Sequence, residues 1–277
     1  MNKIALYGDF YNIRKTRGTE AAIEHAANYG YQGVEFLFGV NEIPSVSAGE
    51  RYKALLNVKN LTVACVSCGA SLVKENSPST TDFTCIENLY RCIDFTKSVG
   101  SKLFHHTLYV DLKENPGIKY EDMYDAVVYG AELVANYAKE RGITVIYEPQ
   151  GWFFNGYNGF LTFFRDIKTR CKNVGVCFDV GNTYWVDEEP YRLFEAVKHD
   201  VMHTHIKDYT IGGASSEYKT ISGRDIKEVT IGRGQIRLDV IFDGLSKIGY
   251  SGFYSIEDVT DVSPEEKLLI VSRMLKK

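Results

Sequence analysis

Residues 201–208 read VMHTHIKD, and the alternation inside this octapeptide decides the fold. A β-strand sends successive side chains to opposite faces, so His203, His205 and Lys207 share one face while Met202, Thr204 and Ile206 share the other. In a closed barrel the first set points into the interior and the second toward surrounding helices. Three more segments end in a similar way: IYEPQ at 146–150, CFDVGN at 177–182 and YSIED at 254–258. Each is a short run of branched or aromatic residues with an acid at its C-terminal tip, namely Glu148, Asp179 and Glu257. Strand tips of this kind are where a parallel barrel presents its ligands. Three carboxylates and the His205 imidazole then converge on one point. That oxygen-rich set with one nitrogen suits one divalent metal ion: Mn²⁺, Mg²⁺, Co²⁺ or Zn²⁺.

The remaining strand-like runs complete a regular series. KIALYG (3–8), GVEFLF (33–38), LTVACVS (61–67), KLFHHTL (102–108), ITVIYEP (143–149), VGVCFDV (174–180), VMHTHIK (201–207) and GFYSIED (252–258) are each followed by a longer segment with helical spacing of its apolar residues. Eight such units predict an α/β fold, a (β/α)8 TIM barrel, as a single domain over residues 1–277. Gly30, Gly100, Gly142 and Gly249 stand just before four of the strands, where a left-handed helix C-cap is expected. The 28 residues from Asp208 to Gln235 are far longer than an ordinary βα loop. Within them YKTISGRDIKEVTIG (218–232) predicts a hairpin turning at Gly223, Arg224 and Asp225, placed to cover the site.

Composition narrows the class of function. The chain has 277 residues, 44% hydrophobic and 25% charged, enough for one large core. Its net charge is −4 with scattered basic residues, which leaves no electrostatic footprint for nucleic acid or an anionic membrane. No run approaches the roughly 18 apolar residues of a membrane span, and a cytoplasmic protein with a small polar substrate is expected. The six cysteines are expected as reduced thiols. Cys65 and Cys68 form a lone C-x-x-C without the second pair of a zinc ribbon, and Cys177 shares the Asp179 face and fills the barrel interior.

In order along the chain, the stretch GYQGVEFLF, the glutamate of IYEPQ, D-x-G-N at 179–182, H-I-K-D at 205–208 and IGRGQIRLDVIFDGLSKIGYSGFYSIED at 231–258 resemble the xylose isomerase-like TIM barrels, the sugar phosphate isomerase/epimerase superfamily. The resemblance implies a mononuclear divalent metal held by Glu148, Asp179, His205 and Glu257. It also implies an isomerase or epimerase in which Glu148 and Glu257 transfer protons through an enediolate of a sugar, sugar acid or polyol-derived ketone. Two positions depart from the ketose epimerases: Asn182 stands where they often carry histidine, and Ile211 where they often carry arginine. The alternative is a lyase of the inosose or dehydroshikimate dehydratase type on the same metal site. An endonuclease IV-like nuclease fits six histidines and an acidic chain poorly, and a non-catalytic sugar-binding barrel is the fourth reading.

Further residues are assigned as substrate contacts. Lys207, inward and nearer the mouth than His205, is suited to a substrate hydroxylate, carboxylate or phosphate. Glu35, read as the tip of strand 2, is assigned to a sugar hydroxyl. One of His105 and His106 must face inward, and His106 is the candidate contact. Trp152 and Trp185 suit the apolar face of a carbohydrate or cyclic polyol, or else a homo-oligomer interface, and Arg233 lies inside the G-R-G of the last motif. His203 is expected one layer below His205 as a hydrogen-bonded supporting residue.

Overall fold

The structure, a computed structural model, describes residues 2–108, 110, 117–213, 216 and 218–276. All eight strand-like runs form barrel strands: β1 (Lys3–Leu6), β2 (Gly33–Gly39), β3 (Thr62–Ala70), β4 (Leu103–Leu108), β5 (Thr144–Tyr147), β6 (Val174–Asp179), β7 (Val201–Ile206) and β8 (Phe253–Ile256). Each pairs in parallel with its sequence neighbours, and β8 closes on β1 through Lys3 opposite Phe253 and Leu6 opposite Ile256. This is a (β/α)8 TIM barrel. Helices follow every strand; the first connection carries two, Gly8–Arg17 and Thr19–Asn28, parted at Gly18, whose φ of 90° interrupts the helical path. The four anticipated C-cap glycines all take positive φ, from 69° at Gly142 to 92° at Gly100. No helix among the described residues is long and apolar enough to cross a membrane.

Alternation sorts the interior into layers. Ala5, Ala64 and Phe253 fill the bottom, and Cys65, Ile146 and Cys177 pack together in the interior. The opposite strand faces, including Phe36, Phe104, Phe178 and Ile206, join the large core shared with the helices. All six cysteines are free thiols.

The long connection after β7 contains the expected turn at Gly223 and a longer antiparallel pairing outside it. Its arms are Asp208–Ile211 and Ile226–Val229, in antiparallel register from Asp208 opposite Val229 to Ile211 opposite Ile226. The anticipated turn closes inside this pairing: the Thr220 N–H donates to Arg224 O at 2.9 Å and the Ile226 N–H to Tyr218 O at 3.2 Å, with an antiparallel bridge between Lys219 and Asp225. The far end of the connection is held by the buried carboxylate of Asp208. Its Oδ1 accepts backbone N–H groups of Tyr209 and Ile236 at 2.9 and 3.2 Å, and its Oδ2 those of Gly232 and Gly234 at 3.0 and 2.8 Å. These bonds draw the G-R-G segment back onto the end of β7. A Cβ on Gly234 would stand 2.1 Å from Asp208 Oδ1, so only glycine fits.

Asp208→Asn replaces one accepting oxygen by an amide donor facing other donors, and Gly234→Ala forces the loop off the carboxylate. Each is expected to lower stability by about 2–4 kcal/mol, read as a urea-midpoint shift together with faster proteolysis between residues 208 and 236. Unchanged midpoints in both would remove Asp208 as the loop's anchor.

Candidate metal centre

Four strand ends deliver the donors. Asp179 is the last residue of β6 and sits in register with His205 of β7, which in turn sits beside Ser255 of β8. Glu148 and Glu257 follow directly on β5 and β8. One donor atom from each of Glu148, Asp179, His205 and Glu257 lies within 4.8 Å of all the others. His205 Nδ1 is 2.7 Å from Glu148 Oε1 and 3.4 Å from Glu257 Oε2. Asp179 Oδ1 accepts the N–H groups of Gly181 and Asn182 at 2.8 and 2.7 Å, which leaves Oδ2 for the interior. The Lys207 ammonium lies 3.0 Å from Asp179 Oδ2 and 2.9 Å from Glu257 Oε2, and donates to Asn182 Oδ1 at 3.3 Å.

The electrostatics follow from burial. Desolvation raises the pKa of Glu148, against the opposing pull of His205. Glu257, 27% exposed at the mouth, is pushed up to about 8 by desolvation despite Lys207 and His205. Desolvation works against charge on Lys207, but Asp179 and Glu257 outweigh it and hold the ammonium protonated. A carboxylate forced toward neutrality by burial becomes a good ligand once a cation offsets the desolvation. Two buried oxygens, Asp179 Oδ2 and Glu257 Oε2, are free to ligate: Lys207 is within ion-pair distance, yet no hydrogen-bond donor is aligned on either. Three oxygen donors, one imidazole nitrogen and two unclaimed lone-pair sites fit a divalent cation.

Other assigned residues lie elsewhere. His106 is corrected: it faces away from the interior, with Nε2 3.2 Å from the Ala70 carbonyl and its ring beside Phe104 and Tyr147. His105 takes the inward face, 3.5 Å from Glu148 Oε2. Glu35 is corrected too, because β2 continues past it to Gly39 and leaves it fully buried, bonded to Ser67, His203 and His205 rather than open at the mouth. Burial opposes its charge, but His205 and His203 hold its pKa well below the carboxylate range. Trp152 is 38% exposed on the turn after β5. Trp185 packs edge-on against Tyr209 and Tyr218, joining the β6 loop to the hairpin. The Arg233 side chain is exposed on the loop that Asp208 anchors. Sequence reasoning missed Tyr7, whose ring stacks on His205 at 4.7 Å; its place directly after β1 was the available signal.

Residues 23–277 match the family described as xylose isomerase-like TIM barrel. The chain belongs to that family. No curated protein has a significant match to its sequence. Among solved structures, a xylose isomerase-like TIM barrel protein from Mycobacterium smegmatis in complex with magnesium is 16% identical with a TM-score of 0.73, covering 99% of this chain and 95% of that one. D-allulose 3-epimerase from Methylomonas sp. in complex with D-allulose is 19% identical with a TM-score of 0.70, covering 98% and 90%. The probable 3-DHS dehydratase from Bacillus anthracis is 14% identical with a TM-score of 0.71, covering 99% of each chain. At these identities the likeness is one of fold.

If the four donors hold the ion, His205→Asn leaves a folded protein that loses at least tenfold in Mn²⁺ affinity, whereas Cys85→Ser, on an outer helix, keeps wild-type metal content after dialysis. Equal retention in the two variants would place the ion elsewhere.

Proposed function

We propose that this family member is a divalent-metal-dependent isomerase or epimerase of a small sugar, sugar acid or polyol-derived ketone. The observation that carries the reading is the convergence of Glu148, Asp179, His205 and Glu257 within 4.8 Å at the C-terminal mouth of the barrel. An ion held there, Mn²⁺, Mg²⁺, Co²⁺ or Zn²⁺, would act as a Lewis acid toward a carbonyl and its neighbouring hydroxyl and lower the energy of the enediolate.

The chain's own residues supply the rest. Glu148 and Glu257 approach His205 Nδ1 from β5 and β8 and are the two carboxylates assigned to proton transfer at the carbon between the two substrate oxygens. Both are carboxylates at the mouth of the barrel, able to take a proton from carbon and return it. Lys207 provides a fixed positive charge beside Asp179 and Glu257 for a substrate oxygen. The Tyr7 ring on His205 and the Trp185–Tyr209 contact limit water at the mouth.

Removing the ion with EDTA is expected to abolish turnover on a ketose panel, and Mn²⁺, Co²⁺ or Mg²⁺ to restore it; full activity in metal-free protein would overturn the mechanism.

Glu257→Gln separates binding from chemistry, since the amide oxygen can still ligate but no titratable proton remains. We expect near-wild-type metal stoichiometry with a kcat and a rate of solvent deuterium entry into recovered substrate both lower by roughly 10²–10⁴. Wild-type exchange in that variant would exclude Glu257 as a proton carrier. An ultraviolet-absorbing unsaturated ketone as product would assign the chain to the lyases instead.

A further inference from the structure

Beneath the four donors lies a second buried cluster that the proton-transfer reading does not use. Glu35 stands at its centre and reaches from β2 across the barrel to β7. Its Oε2 is 2.7 Å from His203 Nε2, and its Oε1 is 3.0 Å from His205 Nε2 and accepts the Ser67 hydroxyl at 2.6 Å. Ser67 Oγ is in turn 3.1 Å from His105 Nδ1. Glu35, Ser67 and His203 are wholly inaccessible, and His105 and His205 are 1% exposed.

Donor counting fixes the protons in this cluster. An ionised carboxylate only accepts, so the nitrogens of His203 and His205 that face it both carry hydrogen. Ser67 has a single proton and spends it on Glu35, so its oxygen accepts from His105 Nδ1–H. The reverse tautomers would set lone pair against lone pair at 2.6–3.1 Å in a dry interior. On the mouth side His205 Nδ1 donates to Glu148 while no ion is present and is the nitrogen left for a metal, whereas the lone pair of His105 stands on Nε2. His205 Nδ1 faces Glu148 and Glu257, and His105 Nε2 lies 3.2 Å from Thr107 Oγ1 and 3.5 Å from Glu148 Oε2.

We propose that Glu35 is the positioning residue of this centre: by accepting from His203, His205 and Ser67 it sets three histidine tautomers at once, so that His205 presents Nδ1 to the metal and His105 presents Nε2 toward Glu148. The part concerning His205 rests on the metal-dependent reading above; the tautomers of His203 and His105 do not. A carboxylate behind a ligating imidazole orients the ring and raises its basicity. The sequence places this carboxylate on β2, far along the chain from β7, so only barrel closure brings the two together.

The test compares wild type with the isosteric Glu35→Gln, whose amide offers one acceptor and one donor and therefore leaves at least one imidazole mismatched. By equilibrium dialysis with Mn²⁺ alone, the variant is expected to bind roughly 10–100-fold more weakly. Glu35→Asp, which keeps two accepting oxygens, should recover part of that loss. Long-range ¹H–¹⁵N spectra of histidine-labelled protein give a readout independent of activity. Wild type loaded with Zn²⁺ should show His205 as Nε2–H, and metal-free wild type should show His203 as Nε2–H and His105 as Nδ1–H. Wild-type Mn²⁺ affinity in Glu35→Gln, or His205 carrying its proton on Nδ1, would overturn the proposal. A wild type that holds no divalent ion would sink the metal reading, while the His203 and His105 tautomers would still decide for or against Glu35. Should Glu35→Gln not fold, Ser67→Ala cuts the His105 branch alone; persistence of the His105 Nδ1–H tautomer there would refute the chain of bonds.

Discussion

The interior of an eight-stranded barrel has room for few side chains and little tolerance for unbalanced charge, yet this one encloses Glu35, Glu148, Asp179 and most of Glu257. Burying a carboxylate without a partner costs several kcal/mol or drives it to its neutral form. The protein answers with a graded set of partners. Glu35, deepest of the four, is bonded to two imidazoles and a hydroxyl. Asp179 has one oxygen on two backbone N–H groups and the other near Lys207. Glu148 and Glu257, nearer the mouth, share His205, with His105 3.5 Å from Glu148 and Lys207 2.9 Å from Glu257. Protein partners therefore become sparser toward the opening, and that is where a divalent cation would complete the balance.

The same gradient explains what the sequence disclosed. All eight strands were legible because each is a short β-prone run set off by longer helical spacing and, in four cases, a glycine whose positive φ ends the helix before it. The convergence of Glu148, Asp179, His205 and Glu257 was legible because each stands at or beside the end of a different strand. Depth within the barrel was less so. Glu35 looks like a strand tip beside the apolar FLF that follows, but the strand carries those residues onward and places the acid inside. His105 and His106 differ only in phase; Phe104 and Leu108 share the face of His106 and join the outer core, a signal of outward orientation that the histidine pair itself obscures.

The turn at Gly223 was legible, but the longer pairing outside it was hidden for a different reason. Local β-propensity marks residues on both sides of Gly223, whereas the pairing of 208–211 with 226–229 begins at Asp208, which lies before the loop and collects amides from its far end. A carboxylate with four N–H donors fixes the loop's far end, and short-range patterns carry no record of a contact closed over 24 to 28 residues.

That contact also ties the loop to the chemistry. Within 205–208, His205 faces the donors, Ile206 the outer core, Lys207 the pair Asp179 and Glu257, and Asp208 the loop. The adjacent strand end has a parallel division: Glu257 enters the site, while Asp258 accepts the Ile231 N–H at 3.0 Å and its carbonyl accepts from the buried Lys267 ammonium at 2.7 Å. Lys267 also donates to Asp9 at 2.9 Å, joining the last helix to the first. Residues 231–236 are thus pinned between two strand ends, each within three residues of a donor atom. Displacing this loop would have to move the backbone that aims His205 and Glu257, so order in the cover and geometry in the centre are held by the same bonds.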